Sequence, residues 1–214
     1  MTSALPPEDA STSSGRAAAL IRRFLPPGAF GSCRSCAAGD VPEPFRRLLD
    51  HQSHMTVAME TLHGQAVSLE VLAVAERPAT DADPFGYARE IVLRCPRVNP
   101  ELFPEASCRT PPETGWVVQY GIVGIALERL PGPIAEAIRR QVTPLGRILI
   151  EAGLHRQVRD VELLEVVAGQ RLRKLFGGAG DAPGPRTYGR VAIIDIEHQP
   201  VISLLEVAAV PALS

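Results

Sequence analysis

The chain has 214 residues and a formal net charge of −2, and 45% of its residues are hydrophobic, which suits one globular domain with a substantial core. The near-neutral charge and the 5% aromatic content exclude the basic surface and the stacking platforms of nucleic-acid-binding proteins. Because no apolar run reaches bilayer length and no signal-peptide core is present, we expect no membrane partner and a cytoplasmic location.

The first forty residues have the character of an N-terminal extension. Residues 1–15 are rich in Ser, Thr, Pro and Ala, which predicts disorder. Apolar residues at helical spacing predict a short helix over residues 17–25, ended by the following prolines. The sequence therefore predicts a partly disordered extension over residues 1–40 and a folded domain over residues 41–214.

Helical patterns come first in the predicted domain. Phe45, Leu48 and Leu49 recur at helical spacing, and a second helix is predicted to begin with Thr56 as its N-cap and to end before Gly64. A later helix is predicted with Thr143 as N-cap and Pro144 at its first position, after an amphipathic helix over residues 133–141.

Six segments have the composition and alternation of β-strands, at residues 66–75, 89–95, 116–127, 158–167, 191–196 and 201–207. Residues 197–200 read as a short turn, so the last two strands are expected to form an antiparallel hairpin. Loops are predicted over residues 96–115 and 177–185. Consecutive strands without βαβ alternation predict an α+β fold with a single antiparallel sheet of about six strands.

Neither the cysteines nor the histidines form a convincing metal site. Cys33 and Cys36 are a C-x-x-C pair in a predicted loop, but no second tight pair follows. His51 and His54 are three residues apart without a third ligand at a recognisable spacing. We therefore expect free thiols and no metal.

Glu206 is an acidic residue inside an apolar strand. Its side chain points the same way as Ile202 and Leu204, so its charge is costly to bury unless a cation or a hydrogen-bond donor compensates. Such a carboxylate suits a general acid or base, or a partner for a ligand hydroxyl. A structural ion pair, or a strand end facing water, is an equally good interpretation.

Arg89 is the basic counterpart. It shares the more apolar face of its strand with Ile91 and Leu93, and a core-facing guanidinium needs an anion, for which a ligand carboxylate is a natural bidentate partner. A salt bridge to Glu206 or to another buried acid is the alternative. A third candidate is the predicted helix start after Thr143, where the amides of Leu145 to Arg147 could meet an anion.

Five short motifs resemble the chorismate pyruvate-lyase (4-hydroxybenzoate synthase) family, in order over roughly residues 45–210. They are L-L-D with S-H-M-T at residues 48–56, Y-A-R-E-I-V-L at 87–93, T-P-L-G-R-I-L at 143–149, Y-G-R at 188–190, and L-L-E-V at 204–207 followed by Pro211. The chain departs from the family at Tyr120-Gly121-Ile122, where the well-known enzymes carry a Gly-Arg pair.

The resemblance implies a ligand sealed beneath helical flaps. It places the contacts to an aromatic acid at Met55, Arg89, Leu145 and Glu206. Arg89 would hold the ring carboxylate, and Glu206 would meet the oxygen at the far end, where the enolpyruvyl ether is cleaved; these two are the predicted catalytic residues. The reaction converts chorismate to 4-hydroxybenzoate and pyruvate without a cofactor.

Two hypotheses follow from these residues. The first is a monomeric lyase that acts on chorismate and supplies quinone or phenolic natural-product biosynthesis. The second is a non-catalytic binding or sensor module for a small aromatic carboxylic acid, because the expected fold is similar to the effector-binding domain of some bacterial transcription regulators.

Overall fold

The computed structural model describes residues 13–99, 112–177 and 186–209. Within these ranges the strands form one open antiparallel sheet of seven strands in the order β1-β5-β6-β7-β4-β3-β2. The predicted α+β fold with a single antiparallel sheet is therefore confirmed. The strands are β1 Gly31–Ser35, β2 Ser68–Glu76, β3 Tyr87–Cys95, β4 Trp116–Ile125, β5 Arg156–Ala168, β6 Arg186–Ile196 and β7 Gln199–Ala208.

All six predicted strands are present, as β2 to β7, and the hairpin between the last two is confirmed. The turn consists of Glu197 and His198, with φ angles of 48° and 65°, the two positive φ angles that a two-residue type I′ turn requires. Gln199 and Pro200, which the sequence placed in the turn, already belong to β7.

Six helices accompany the sheet in the described part of the chain: α1 Ser13–Ile21, α2 Phe45–Leu49, α3 Met55–His63, α4 Gly132–Arg139, α5 Leu145–Glu151 and α6 Gln170–Leu175. Two predicted caps are wrong. The N-cap of α3 is His54 rather than Thr56, and that of α5 is Pro144 rather than Thr143; neither makes a side-chain capping hydrogen bond. Packing against the sheet, rather than capping chemistry, therefore sets where these helices begin.

The predicted N-terminal extension contributes a helix and a strand to the fold. β1 pairs with β5 at one edge of the sheet, and the segment from residue 13 buries Ala17, Leu20 and Phe30 in the same core as Tyr120. The prediction of a loop around Cys33 is wrong, since Cys33 lies in β1. The predicted disorder of residues 1–12, and the predicted loops where they span residues 100–111 and 178–185, lie outside the described residues.

The sheet has two covered faces. Antiparallel pairing aligns Ile91, Gly121, Glu206 and Arg190 in one cross-strand row, so their side-chain positions share one face, here called the site face. Helices α2 to α5 pack on this face. The opposite, rear face is covered by α1 and α6. No helix in the described ranges has both the length and the apolarity to cross a bilayer.

Candidate functional site

A cavity of about 50 Å³ lies between the site face and the N-terminal ends of α3 and α5. Met55, Arg89, Leu145 and Glu206, the four residues predicted as substrate contacts, all line it. Met55 comes from the first turn of α3 and Leu145 from the start of α5, whereas the two charged residues come from β3 and β7. The structure thus brings together residues that lie up to 151 positions apart in the chain.

Arg89 is buried without a carboxylate partner among the described residues. Its side chain is 1% exposed, Nη1 donates a long hydrogen bond of 3.5 Å to the carbonyl oxygen of Ile138, and Nε has no acceptor. Burial lowers the pKa of the Arg89 guanidinium. The alternative prediction of a salt bridge to Glu206 is wrong, so the charge of Arg89 remains available to an anion inside the cavity.

Glu206 has a cation of its own. Nε of Arg190 donates to Oε2 of Glu206 at 2.8 Å, and Nε2 of Gln119 lies 3.5 Å from Oε1. The structural ion pair that the sequence left open is therefore present, and Glu206 also lines the cavity.

Arg190 anchors the loop between α2 and α3 to the sheet. It is 1% exposed and, besides Glu206, donates to the carbonyl oxygens of Leu49, His51 and Ser53 at 3.2, 2.7 and 3.2 Å. The sequence flagged Arg190 only as part of the Y-G-R motif and gave it no role. Its position on one face with Ala192 and Ile194 is the same period-two signal that identified Arg89.

Two further polar groups line the cavity and were not predicted. Oε1 of Gln119 and Nε2 of His54 are buried without a hydrogen-bond partner. Burial, and then the charges of Arg156 and Arg190, lower the pKa of His54 to about 4, so its ring is neutral at pH 7. The amide oxygen and the neutral imidazole can both hydrogen-bond a ligand hydroxyl.

Gly146 allows α5 to approach α3 closely. A Cβ atom at this position would lie 2.9 Å from Cβ and 3.0 Å from Cγ of His54. The ion pair between Arg147 and Glu60, at 2.6 Å, joins the same two helices. Of the three amides predicted to meet an anion, that of Arg147 donates to the carbonyl oxygen of Pro144 within the helix.

The described histidines and cysteines do not form a cluster that could bind a metal ion. Nδ1 of His51 accepts a hydrogen bond from the amide of Ser53, whereas His54 packs against Gly146. No group of three or more potential metal ligands occurs in residues 13–99, 112–177 and 186–209. Cys33, Cys36 and Cys95 are free thiols; Cys108 and Pro211 lie outside the described residues.

Comparison with known proteins gives no family assignment. No family model matches the chain, and no curated protein matches it. Among solved structures, the effector domain of PhnF from Mycobacterium smegmatis is 12% identical to this chain, with a TM-score of 0.47. The alignment covers 73% of this chain and 88% of the PhnF domain. PhnF from the same organism is 13% identical, with coverages of 77% and 67% and a TM-score of 0.46.

A third similar structure is that of the possible transcriptional regulator YydK from Bacillus subtilis. It is 13% identical, covers 66% of this chain and 57% of its own, and has a TM-score of 0.39. Likenesses at this level place the chain in no family.

Proposed function

We propose that the chain binds a small ring-bearing carboxylic acid in the cavity beneath α3 and α5. The observation that carries the proposal is Arg89, whose guanidinium is 1% exposed and has no carboxylate partner in the described ranges. A buried charge without a counter-ion is costly. A ligand carboxylate would supply that counter-ion in bidentate geometry.

The rest of the cavity indicates what such a ligand carries at its other end. Arg89 and Glu206 are two strands apart, about 10 Å across the sheet, and Glu206 neighbours Gln119. The lining between these two polar ends is apolar, with Ile91, Val123 and Leu204. A flat ring with a carboxylate at one end and a hydroxyl or ether oxygen at the other matches this polarity.

Ligand entry requires the helices over the cavity to move. Its volume of about 50 Å³ holds no more than a few water molecules, since one water occupies about 30 Å³ of the liquid. A ring acid is larger, so the proposal includes displacement of α5 from α3 on binding. The contacts that must give way are those of Gly146 with His54 and of Arg147 with Glu60.

Cleavage of chorismate to 4-hydroxybenzoate and pyruvate is the reaction proposed for this site. It rests on the motif resemblance, and it assigns Arg89 to the ring carboxylate and Glu206 to the region of the ether oxygen. Because aromatisation drives this elimination, the site has chiefly to fix geometry and charge.

Binding without catalysis, as in a sensor or carrier, is the second candidate. The contacts that Glu206 makes within the protein favour it. The carboxylate of Glu206 already accepts a hydrogen bond from Nε of Arg190 at 2.8 Å within an ion pair, so it serves the protein as a structural acceptor. No other acid is present among the described residues that line the cavity. The geometry therefore supports binding more directly than proton transfer.

Calorimetric titration with 4-hydroxybenzoate tests the binding proposal. Arg89→Met is expected to weaken binding by about 2 kcal/mol, roughly thirtyfold, because the ligand carboxylate loses its buried partner. Titration with 4-hydroxybenzyl alcohol, which lacks the carboxylate, should show little difference between the two proteins. Arg140→Met is the matched control, since Arg140 is exposed, pairs with Glu136 and does not line the cavity. Unchanged affinity in Arg89→Met would remove Arg89 from the site.

Pyruvate release from chorismate separates the two candidate functions. Pyruvate can be followed by coupled oxidation of a reduced nicotinamide. Turnover that Glu206→Gln abolishes while 4-hydroxybenzoate binding persists would establish the lyase. Retained binding of 4-hydroxybenzoate with no pyruvate from the unaltered protein would establish the binding module.

A further inference from the structure

A second cavity, of about 200 Å³, lies on the rear face of the sheet. It is enclosed by α1, by the loop between β2 and β3, and by strands β6 and β7. Its lining includes Arg16, Leu20, Arg23, Phe85, Ile193 and Ser203. Ile193 pairs with Ser203, one residue along from the pair of Ala192 and Leu204. Because neighbouring residues of a strand face opposite ways, the sheet separates this cavity from the one beside Arg89.

The guanidinium of Arg23 has no anionic partner in the part of the chain that the structure describes. Its Nη2 atom is buried without a hydrogen-bond acceptor. Burial, and then repulsion from Arg77, lower the pKa of Arg23 to about 10. The charge of Arg23 therefore lies in an environment that disfavours it, and an anion would relieve this.

Asp83, which lines this cavity, and Asp160, which contacts Arg16 of its lining, already have partners. Asp83 forms an ion pair with Arg77, and Asp160 forms one with Arg16 at 3.6 Å. Arg23 itself forms no ion pair with a described residue. One guanidinium without an ion pair suits a ligand with one carboxylate.

Gly124 on β4 makes room for the guanidinium. A Cβ atom at Gly124 would lie 3.2 Å from Nη1 of Arg23 and 3.1 Å from Cβ of Phe85. Because the sheet presents no side chain here, Arg23 packs directly over the strand backbone. Leu20, Phe85 and Ile193 supply apolar walls beside it, and the hydroxyl of Ser203 adds a hydrogen-bonding group.

We propose that this rear cavity is a second ligand site, which takes a small organic monoanion with an apolar body. The carboxylate of the ligand pairs with Arg23, and its apolar part packs against Leu20, Phe85 and Ile193. The site is independent of the Arg89 cavity, since no lining residue is shared.

Titration of benzoate into an Arg89→Met protein tests the proposal, because this substitution removes the cation that is proposed to hold a carboxylate in the first cavity. Benzoate is expected to bind, and benzyl alcohol, its neutral counterpart, at least tenfold more weakly. Adding Arg23→Met should weaken benzoate binding at least tenfold. Adding Arg22→Met should leave it unchanged, because the neighbouring Arg22 is exposed and does not line the cavity. Gly124→Ala should also weaken binding, since the new methyl group displaces Arg23.

A second measurement does not depend on the Arg89→Met protein. In the otherwise unaltered chain, benzoate should shift the amide resonances of Ala19 and Phe85, and Arg23→Met should abolish these shifts while those of Leu145 and Gly146 persist. Benzoate binding that Arg23→Met leaves intact, or equal binding of benzoate and benzyl alcohol, would overturn the proposal. Neither outcome bears on the first cavity.

Discussion

Arg89 and Arg190 are both 1% exposed and both lie on the site face of the sheet, yet their surroundings differ. Arg190 has a carboxylate and three backbone carbonyl oxygens as acceptors. Arg89 has one long hydrogen bond to a carbonyl oxygen. A buried guanidinium with a full set of acceptors holds the structure together, whereas one without them is available to a ligand.

Replacing Arg190 should therefore cost stability. Arg190→Met is expected to lower the free energy of unfolding by about 3–5 kcal/mol, because it leaves Glu206 buried without its cation. Glu206→Gln should cost less, about 1 kcal/mol, since Arg190 keeps its carbonyl acceptors. Urea denaturation measures both.

Arg186→Met is the control for that series, because Arg186 lies on the same strand but its side chain is 63% exposed; it should change stability by less than about 0.5 kcal/mol. Equal losses for Arg190→Met and Arg186→Met would contradict the anchoring role of Arg190.

At the residue scale, the alternation of β-strands was sufficient to place Arg89 and Glu206 on buried faces. It could not determine which charges pair, because pairing depends on the order of strands in the sheet. β6 lies beside β7, so Arg190 reaches Glu206 and Arg89, two strands away on β3, does not. Gln119 and His54 could not be recognised for a similar reason, since their unpartnered atoms exist only inside the closed cavity.

At the element scale, α3 and α5 contact each other beside the cavity. The two helices meet at Gly146 and His54 and through the ion pair of Arg147 with Glu60. The start of α3 was predicted two residues late and that of α5 one residue early, because Thr56 and Thr143 have good capping side chains that the structure does not use. Burial of Met55 and Thr56 against the sheet outweighs a local hydrogen bond of about 1 kcal/mol.

Gly146→Ala tests this contact. In an exposed helix the change would stabilise by about 1 kcal/mol, but here the added methyl group lies 2.9 Å from Cβ of His54, and such overpacking costs about 1–3 kcal/mol. We expect net destabilisation of about 1 kcal/mol and weaker binding of 4-hydroxybenzoate, measured by denaturation and calorimetry.

Gly132→Ala is the matched control, because a Cβ atom there meets nothing within 4 Å. It should be neutral or slightly stabilising. Stabilisation by Gly146→Ala as large as that by Gly132→Ala would show that α3 and α5 do not constrain each other.

At the scale of the whole molecule, the N-terminal segment completes the rear face of the sheet. Phe30 is 2% exposed and its ring lies 6.2 Å from that of Tyr120, and β1 covers the edge of β5. The predicted boundary at residue 41 would separate these residues from the core that they help to form.

Removal of residues 1–40 should therefore prevent stable folding, because it uncovers the rear-face core and leaves β5 as an open edge. Phe30→Ala is the milder test and is expected to lower the free energy of unfolding by about 3–5 kcal/mol. Val142→Ala, at a side chain that is 77% exposed, should change stability little. A truncated chain that unfolds cooperatively with unchanged stability would show that residues 41–214 suffice.

The amino-acid sequence by itself determined the fold class, the six strands β2 to β7, and the inward direction of Arg89 and Glu206, because these follow from local periodicity. Only the tertiary structure decided that β1 joins the sheet, that Arg190 rather than Arg89 neutralises Glu206, and that the glycines at positions 124 and 146 admit close neighbours. Each of these depends on which distant segments become adjacent. The free energy of such contacts depends on residues that are far apart in the chain, so it cannot be predicted from a local sequence pattern.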